Sequence, residues 1–269
     1  SRYLDPLLTC MGGWACLYAG QYQAAIRAAE FLARIVGIQR EMESRFYIYY
    51  DPESDALVTD FPADESISYT CDVHRSRQHF FFVGAPIGYL ADVYKTTGDR
   101  RFLDAALRYF DFESRTNPKG FSWPSKCKSG WGAAVLYSVT QEPAVRQLAE
   151  KVANETFLAT QEADGSWPTF HYPTKDDHSA FIEVSMAELT AEYVFELTEI
   201  VRGLSPVQRS LLARSKSDKA HQLPFWERLW SRIKGGFFET IDPLVQRFLD
   251  RHVDDVYTYF YREGRRQQI

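Results

Sequence analysis

The chain has 269 residues, 45% of them hydrophobic and 25% charged, and its 31 Lys and Arg against 36 Asp and Glu give a formal charge of -5. With no basic block, it lacks the electrostatic footprint of a nucleic-acid partner, and no apolar run approaches the ~20 residues of a membrane span. The start, Ser1-Arg2-Tyr3-Leu4-Asp5-Pro6, has neither the charged nor the apolar region of a signal peptide. Cys10, Cys16, Cys71 and Cys127 form no CxxC pair, so they read as reduced, mostly buried thiols of a cytoplasmic protein. The aromatic content, 15%, is the unusual quantity.

Residues 12–32 open with small residues and an aromatic, continue as an apolar helical stripe to Tyr18, and restart as an alanine-rich second helix. Residues 46–59 change period: Phe46-Tyr47-Ile48-Tyr49-Tyr50, a proline turn at 51–55 and Ala56-Leu57-Val58-Thr59 predict a β-hairpin. Residues 84–112 repeat the helical plan, with Tyr94 closing the first helix and Phe102, Ala105, Ala106 and Tyr109 marking the buried face of the second. Residues 130–158 repeat it again, from Tyr137 to Val145. Such hairpins of about 40 residues must stack to cover their apolar faces. Residues 177–202 hold no internal glycine or proline and predict one long helix. Residues 204–221 are polar, and 222–262 predict two further helices broken at Gly235-Gly236.

At 157–167 the chain reads Phe-Leu-Ala-Thr-Gln-Glu-Ala-Asp-Gly-Ser-Trp. Its Gln161…Gly165-Ser166-Trp167 resembles the QW motif of the squalene and terpenoid cyclase superfamily, and is similar to segments of six-hairpin glycosidases and acylglucosamine-type epimerases. The turn Thr96-Thr97-Gly98-Asp99-Arg100-Arg101-Phe102-Leu103 is similar to the inter-helix turn of those sugar-acting proteins. The resemblance covers residues 3–202 and implies an all-α fold, an α/α toroid of helical hairpins with one small β-hairpin insertion. Too few helices are predicted for six hairpins, so the ring is incomplete, recruits the C-terminal helices or lacks N-terminal ones. The expected division is a toroid domain over 1–203 and a helical extension over 204–269, packing on the toroid or mediating a homodimer. The Asp-x-Asp-Asp acid motif and the Asp-Asp-x-x-Asp metal motif of terpene cyclases are both absent. In the QW segment Gln161 has hydrogen-bonding capacity for helix ends, Gly165 permits a turn and Trp167 buries area, so the segment should staple an outer helix to the next inner one.

Two polar clusters and an aromatic set are the site candidates. In Asp72-Val73-His74-Arg75-Ser76-Arg77-Gln78-His79, histidine can exchange protons near neutrality and Arg75 and Arg77 can clamp a carboxylate or carbonyl. The bland alternative is a polar loop that caps the next helix. In His171-Tyr172-Pro173-Thr174-Lys175-Asp176-Asp177-His178, adjacent carboxylates can raise one another's pKa, or an aspartate can simply cap the long helix. Trp14, Tyr69, His79, Phe80, Trp123 and Trp131 could line a cavity, with Lys128 binding an anionic group; core packing is the alternative for each aromatic. No nucleotide fingerprint occurs, and no metal or other cofactor is expected. The leading functional expectation is a cyclase or isomerase that shapes a small apolar polyene, terpenoid or polyketide in an aromatic cavity. Asp72, His74, Arg75 and Arg77, with His171, Tyr172, Asp177 and His178, are its expected catalytic groups. The alternatives are a carbohydrate enzyme (epimerase, unsaturated glycuronyl hydrolase or polysaccharide lyase) and a non-catalytic helical scaffold.

Overall fold

The computed structural model describes residues 2–167 and the helix backbone and following residue of 180–205, with side chains from Ala187 onward. Residues 2–167 and 190–205 belong to one compact unit, described below; of a second unit, only 180–189 are described. The extension expected over 204–269 lies outside the described residues from 206 onward.

Asp5 starts α1 (Pro6–Tyr18): its side chain accepts from Leu8 N at 2.9 Å, and Pro6 fills a position whose N–H would have no helical partner. After a short turn, α2 (Tyr22–Ile38) buries Ala25, Ala29, Leu32, Ile35 and Val36, one helical stripe. Strands β1 (Arg45–Tyr47), β2 (Tyr50–Asp51) and β3 (Ala56–Leu57), the short α3 (Ser66–Tyr69) and β4 (Thr70–Asp72) follow. The hairpin expected over 46–59 shrinks to β2 and β3. Residues 45–47 pair instead with β4, through Arg45↔Asp72, Phe46↔Cys71 and Tyr47↔Thr70. A three-residue strand shows too little alternation to be read from sequence.

The remaining helices are α4 (Phe81–Thr97), α5 (Arg100–Ser114), α6 (Cys127–Thr140), α7 (Pro143–Val152) and α8 (Ala180–Leu204). Between α4 and α5, Gly98 adopts φ 74°, a conformation that costs glycine little, and Asp99 then caps α5 by accepting from Arg101 N at 3.0 Å. The three predicted hairpins are therefore α1–α2, α4–α5 and α6–α7, each packed on itself. Helix α4 also lies against α1 and α6, and α2 against α5. Val83 through Ala91 are buried without interruption, as expected of a helix enclosed on all sides.

Helices α4 and α6 approach closely through small residues. A Cβ on Gly132 would stand 2.4 Å from the Gly84 carbonyl oxygen, and one on Gly84 would stand 2.5 Å from Ser129 N. Two buried tyrosines tie this layer to α2: Tyr89 Oη donates to the Ala25 carbonyl at 2.6 Å, and Tyr109 Oη to Leu32 at 3.0 Å. Burying each aromatic side chain contributes about 2–3 kcal/mol, and its phenol stays satisfied. No helix among the described residues is long and apolar enough to cross a membrane.

Candidate active site

The Asp72–His79 segment joins β4 to α4 and is held mainly by its own backbone. Asp72 Oδ1 accepts from His74 N at 2.8 Å, and Gln78 Oε1 accepts from Asp72 N at 3.1 Å. Asn117 Nδ2 donates to the His74 carbonyl at 2.7 Å, and Cys71 Sγ donates to that of His79 at 3.3 Å. His74, Arg75 and Arg77 are exposed; Arg75 approaches Asp72 at 4.0 Å, and Arg77 lies 5.2 Å over the Trp123 ring. The His79 ring stacks on Phe81 at 5.3 Å, and Tyr69 stacks on Phe61 at 5.0 Å. These contacts are those of a polar turn between β4 and α4; no side chain caps α4, whose N-cap is Phe80. His171, Tyr172, Asp177 and His178 lie outside the described residues.

Phe80 is fully buried beneath Lys126. Lys126 and Glu113, both 0% exposed, form an ion pair between the end of α5 and the start of α6. Lys126 Nζ also donates to Thr116 Oγ1 at 2.5 Å and lies 3.7 Å from the Phe80 ring centroid. Burial pushes the Glu113 carboxyl up and the Lys126 ammonium down. Its enclosure makes this pair a structural joint.

Two residues on, α6 meets α8. Lys128 Nζ, 12% exposed, pairs with Glu192 and with Glu196 Oε1, the latter at 3.1 Å. Glu196 is 1% exposed, and its Oε2 makes no well-formed hydrogen bond among the described residues. Burial first, then Glu192, push the Glu196 carboxyl up to about 7, against the pull of Lys128. Burial alone would lower Lys128, but the neighbouring Cys127, Glu196 and Glu192 carry it above its ordinary value, so it stays charged. The buried Cys127 thiol is pushed up by burial and by Glu196. One donor atom from each of Cys127, Glu192 and Glu196 lies within 4.8 Å of the others.

An aromatic set sits one helical turn further along both helices. Trp131 follows Lys128 by three positions, as Phe195 follows Glu192, and these two rings meet edge-on at 5.5 Å. Trp131 stacks on Trp14 of α1 at 4.5 Å and 13°. Trp14 in turn packs edge-on against Tyr89 and donates Nε1–H to Asp92 Oδ2 at 3.0 Å. Trp131 is half-buried and Phe195 is 43% exposed, so this aromatic group reaches the surface. Of the residues nominated from sequence, Trp14 and Trp131 stack, and Lys128 lies about one turn before Trp131 on α6.

The QW-like segment fixes α8. Gly165, at φ 88°, makes its turn, and Gln161 Nε2 donates to the Gly165 carbonyl at 3.0 Å. Trp167 Nε1 donates to the Phe157 carbonyl at 2.8 Å, while Trp167 N donates to Thr190 Oγ1 at 3.3 Å. Tyr193, packed on Phe157 and Trp167, donates its phenol to the Pro124 carbonyl at 3.0 Å. Trp167 thus bridges the helical run after α7 to α8, and Tyr193 pins α8 to the loop before α6.

Sequence reasoning did not nominate Glu192, Phe195 or Glu196. A signal was present: Tyr193, Glu196 and Ile200 share one helical face, and a glutamate on an otherwise apolar stripe is out of place unless it has a partner. An open cleft of about 330 Å³, lined by Met42, Glu43, Leu107, Arg108, Asp111 and Arg115, contains none of the nominated residues. No protein-family model, curated protein or solved structure matches the chain.

Proposed function

We propose that the chain is a cyclase or isomerase of a small, largely apolar molecule, with its substrate site on the faces of α6 and α8. The observation that carries this reading is the juxtaposition of two unlike rungs on these helices. Lys128, Glu192 and Glu196 form a polar rung, and Trp14, Trp131 and Phe195 form an aromatic rung one turn away. Aromatic faces hold an apolar chain in a reactive conformer and stabilise developing positive charge. The charged Lys128 then orients a carbonyl, carboxylate or hydroxyl at the substrate's polar end, while the glutamates fix the ammonium. We further read the hairpins as an arc of an α/α toroid. Its support is the side-by-side packing of α1, α4 and α6, each with its hairpin partner α2, α5 or α7 behind it.

The test incubates the full chain with acyclic isoprenoids and polyene acids and, in parallel, with reducing sugars and unsaturated uronic-acid disaccharides. The expected result is a product of unchanged mass and new retention time from the first panel, lost with Trp131→Ala and Lys128→Met. Turnover of the sugar panel alone, or isoprenoid turnover indifferent to both substitutions, would overturn the reading.

A further inference from the structure

The Cys127, Glu192 and Glu196 donors form a cluster, and the buried Glu196 oxygen supplies a second, independent observation. Lys128 takes Oε1 of both glutamates. Beyond Lys128, the donor facing the Glu196 carboxyl is the weak Cys127 thiol, itself a member of the cluster, and Oε2 makes no well-formed hydrogen bond among the described residues, in a side chain 1% exposed. A buried acceptor left open has a free-energy cost that a ligand can remove. The donor set is one sulfur and two carboxylates, drawn from the first residue of α6 and from two positions one turn apart on α8. Their mutual separation, within 4.8 Å, is compatible with ligand atoms that each stand about 2.0–2.3 Å from one central ion.

We propose that Cys127, Glu192 and Glu196 bind one divalent cation of the zinc class. Sulfur selects a borderline-soft ion over magnesium or calcium, which take oxygen ligands. Three protein ligands leave a fourth position open, as in catalytic rather than closed structural zinc sites. Charge balances: a thiolate and two carboxylates against the Lys128 ammonium leave a net of two negative charges, which one divalent ion neutralises. Lys128 remains on the Oε1 atoms and orients the ligands from outside. This deepens the proposed function by naming what the polar rung holds. It rests on that reading only for the claim that a substrate meets the metal's open position beside Trp131. It also departs from the expectation, drawn from sequence, that no metal is used.

The test uses the full chain, stripped with a chelator and titrated with cobalt(II), whose thiolate complexes show a charge-transfer band in the near ultraviolet. The proposal expects one cobalt per chain, a charge-transfer band, and displacement by zinc. It expects the band to vanish in Cys127→Ser and to persist in Cys16→Ser. Glu192→Gln, a near-isosteric change at a side chain 40% exposed, should weaken cobalt binding by about 10-fold or more. Failure to bind cobalt, a band that survives Cys127→Ser, or unchanged affinity in Glu192→Gln would each overturn the proposal. None of these readouts involves turnover, so the metal site can fail while the isoprenoid assay succeeds, and the reverse.

Discussion

Replacing Lys126 by Met gives the sharpest test of the packing between α5 and α6. The ammonium and its partner Glu113 are both 0% exposed, so neither can turn to water when the other is removed. Beside Lys126, Glu113 has only the Ser129 hydroxyl, Oε1 makes no well-formed hydrogen bond among the described residues, and Lys126→Met would strip the ammonium from Oε2. The lost cation–π contact with Phe80 is the smaller effect, because a methionine sulfur recovers part of it. The orphaned carboxylate dominates, and its cost is about 3–5 kcal/mol at neutral pH. That is a large part of a typical total stability of about 5–15 kcal/mol. Removing both partners, as in Glu113→Leu with Lys126→Met, should restore stability to within about 2 kcal/mol of the parent.

The single variant also has a pH signature. Without Lys126, burial holds the Glu113 carboxyl above its ordinary 4.5 in the folded state, the direction it already takes in the parent. The unfolded chain then releases this proton first as pH rises. Stability is therefore greatest below the ordinary carboxylate value and falls as pH climbs through the raised one, by at most ~1.4 kcal/mol per pH unit. Urea unfolding at a series of pH values, for the single and double variants, measures both effects. A single-variant cost under about 1 kcal/mol at pH 7, or a double variant as unstable as the sum of the singles, would refute the reasoning.

Gly132→Ala should lower stability by about 1–3 kcal/mol in thermal melts, since its Cβ would stand 2.4 Å from the Gly84 carbonyl oxygen. Gly12→Ala on α1, with nothing within 4 Å among the described residues, should instead raise it by about 0.5–1 kcal/mol. Trp167→Phe leaves the Phe157 carbonyl without its indole donor, and chemical denaturation should show a loss of about 1–3 kcal/mol. His74→Ala, at an exposed position held through its backbone, should change stability by less than about 0.5 kcal/mol.

The hairpins were legible because their helices carry strong local signals. The Ala25–Ala29–Leu32–Val36 and Phe102–Ala105–Tyr109 stripes are each set by one face of one helix, and Gly98-Asp99 punctuates the turn between α4 and α5. The structural reading of Trp167 was legible for the same reason, its indole bonding only ten residues back to Phe157. The β1–β4 pairing joins three-residue segments some 25 positions apart, so neither strand announces its partner. The α6–α8 cluster was half legible. Lys128, Trp131 and Trp14 drew notice as residue types, but the partners that give them meaning, Glu192, Phe195 and Glu196, lie some 64 or more positions from Lys128 and Trp131. Asp72–His79 drew notice by composition, and its side-chain hydrogen bonds close its own turn rather than cap α4, because short polar side chains serve backbone turns as readily as chemistry.

The claim on which the functional account stands is that an apolar ligand meets the chain at the Trp14–Trp131–Phe195 face. Nitrogen-15 spectra resolve the indole N–H of each of the six tryptophans, and a titration with farnesol, a flexible polyene alcohol, reads all of them together. The account predicts saturable shifts at Trp14 and Trp131, with Trp123 and Trp167 unmoved. Shifts confined to the other indoles, or none at any concentration, would contradict it.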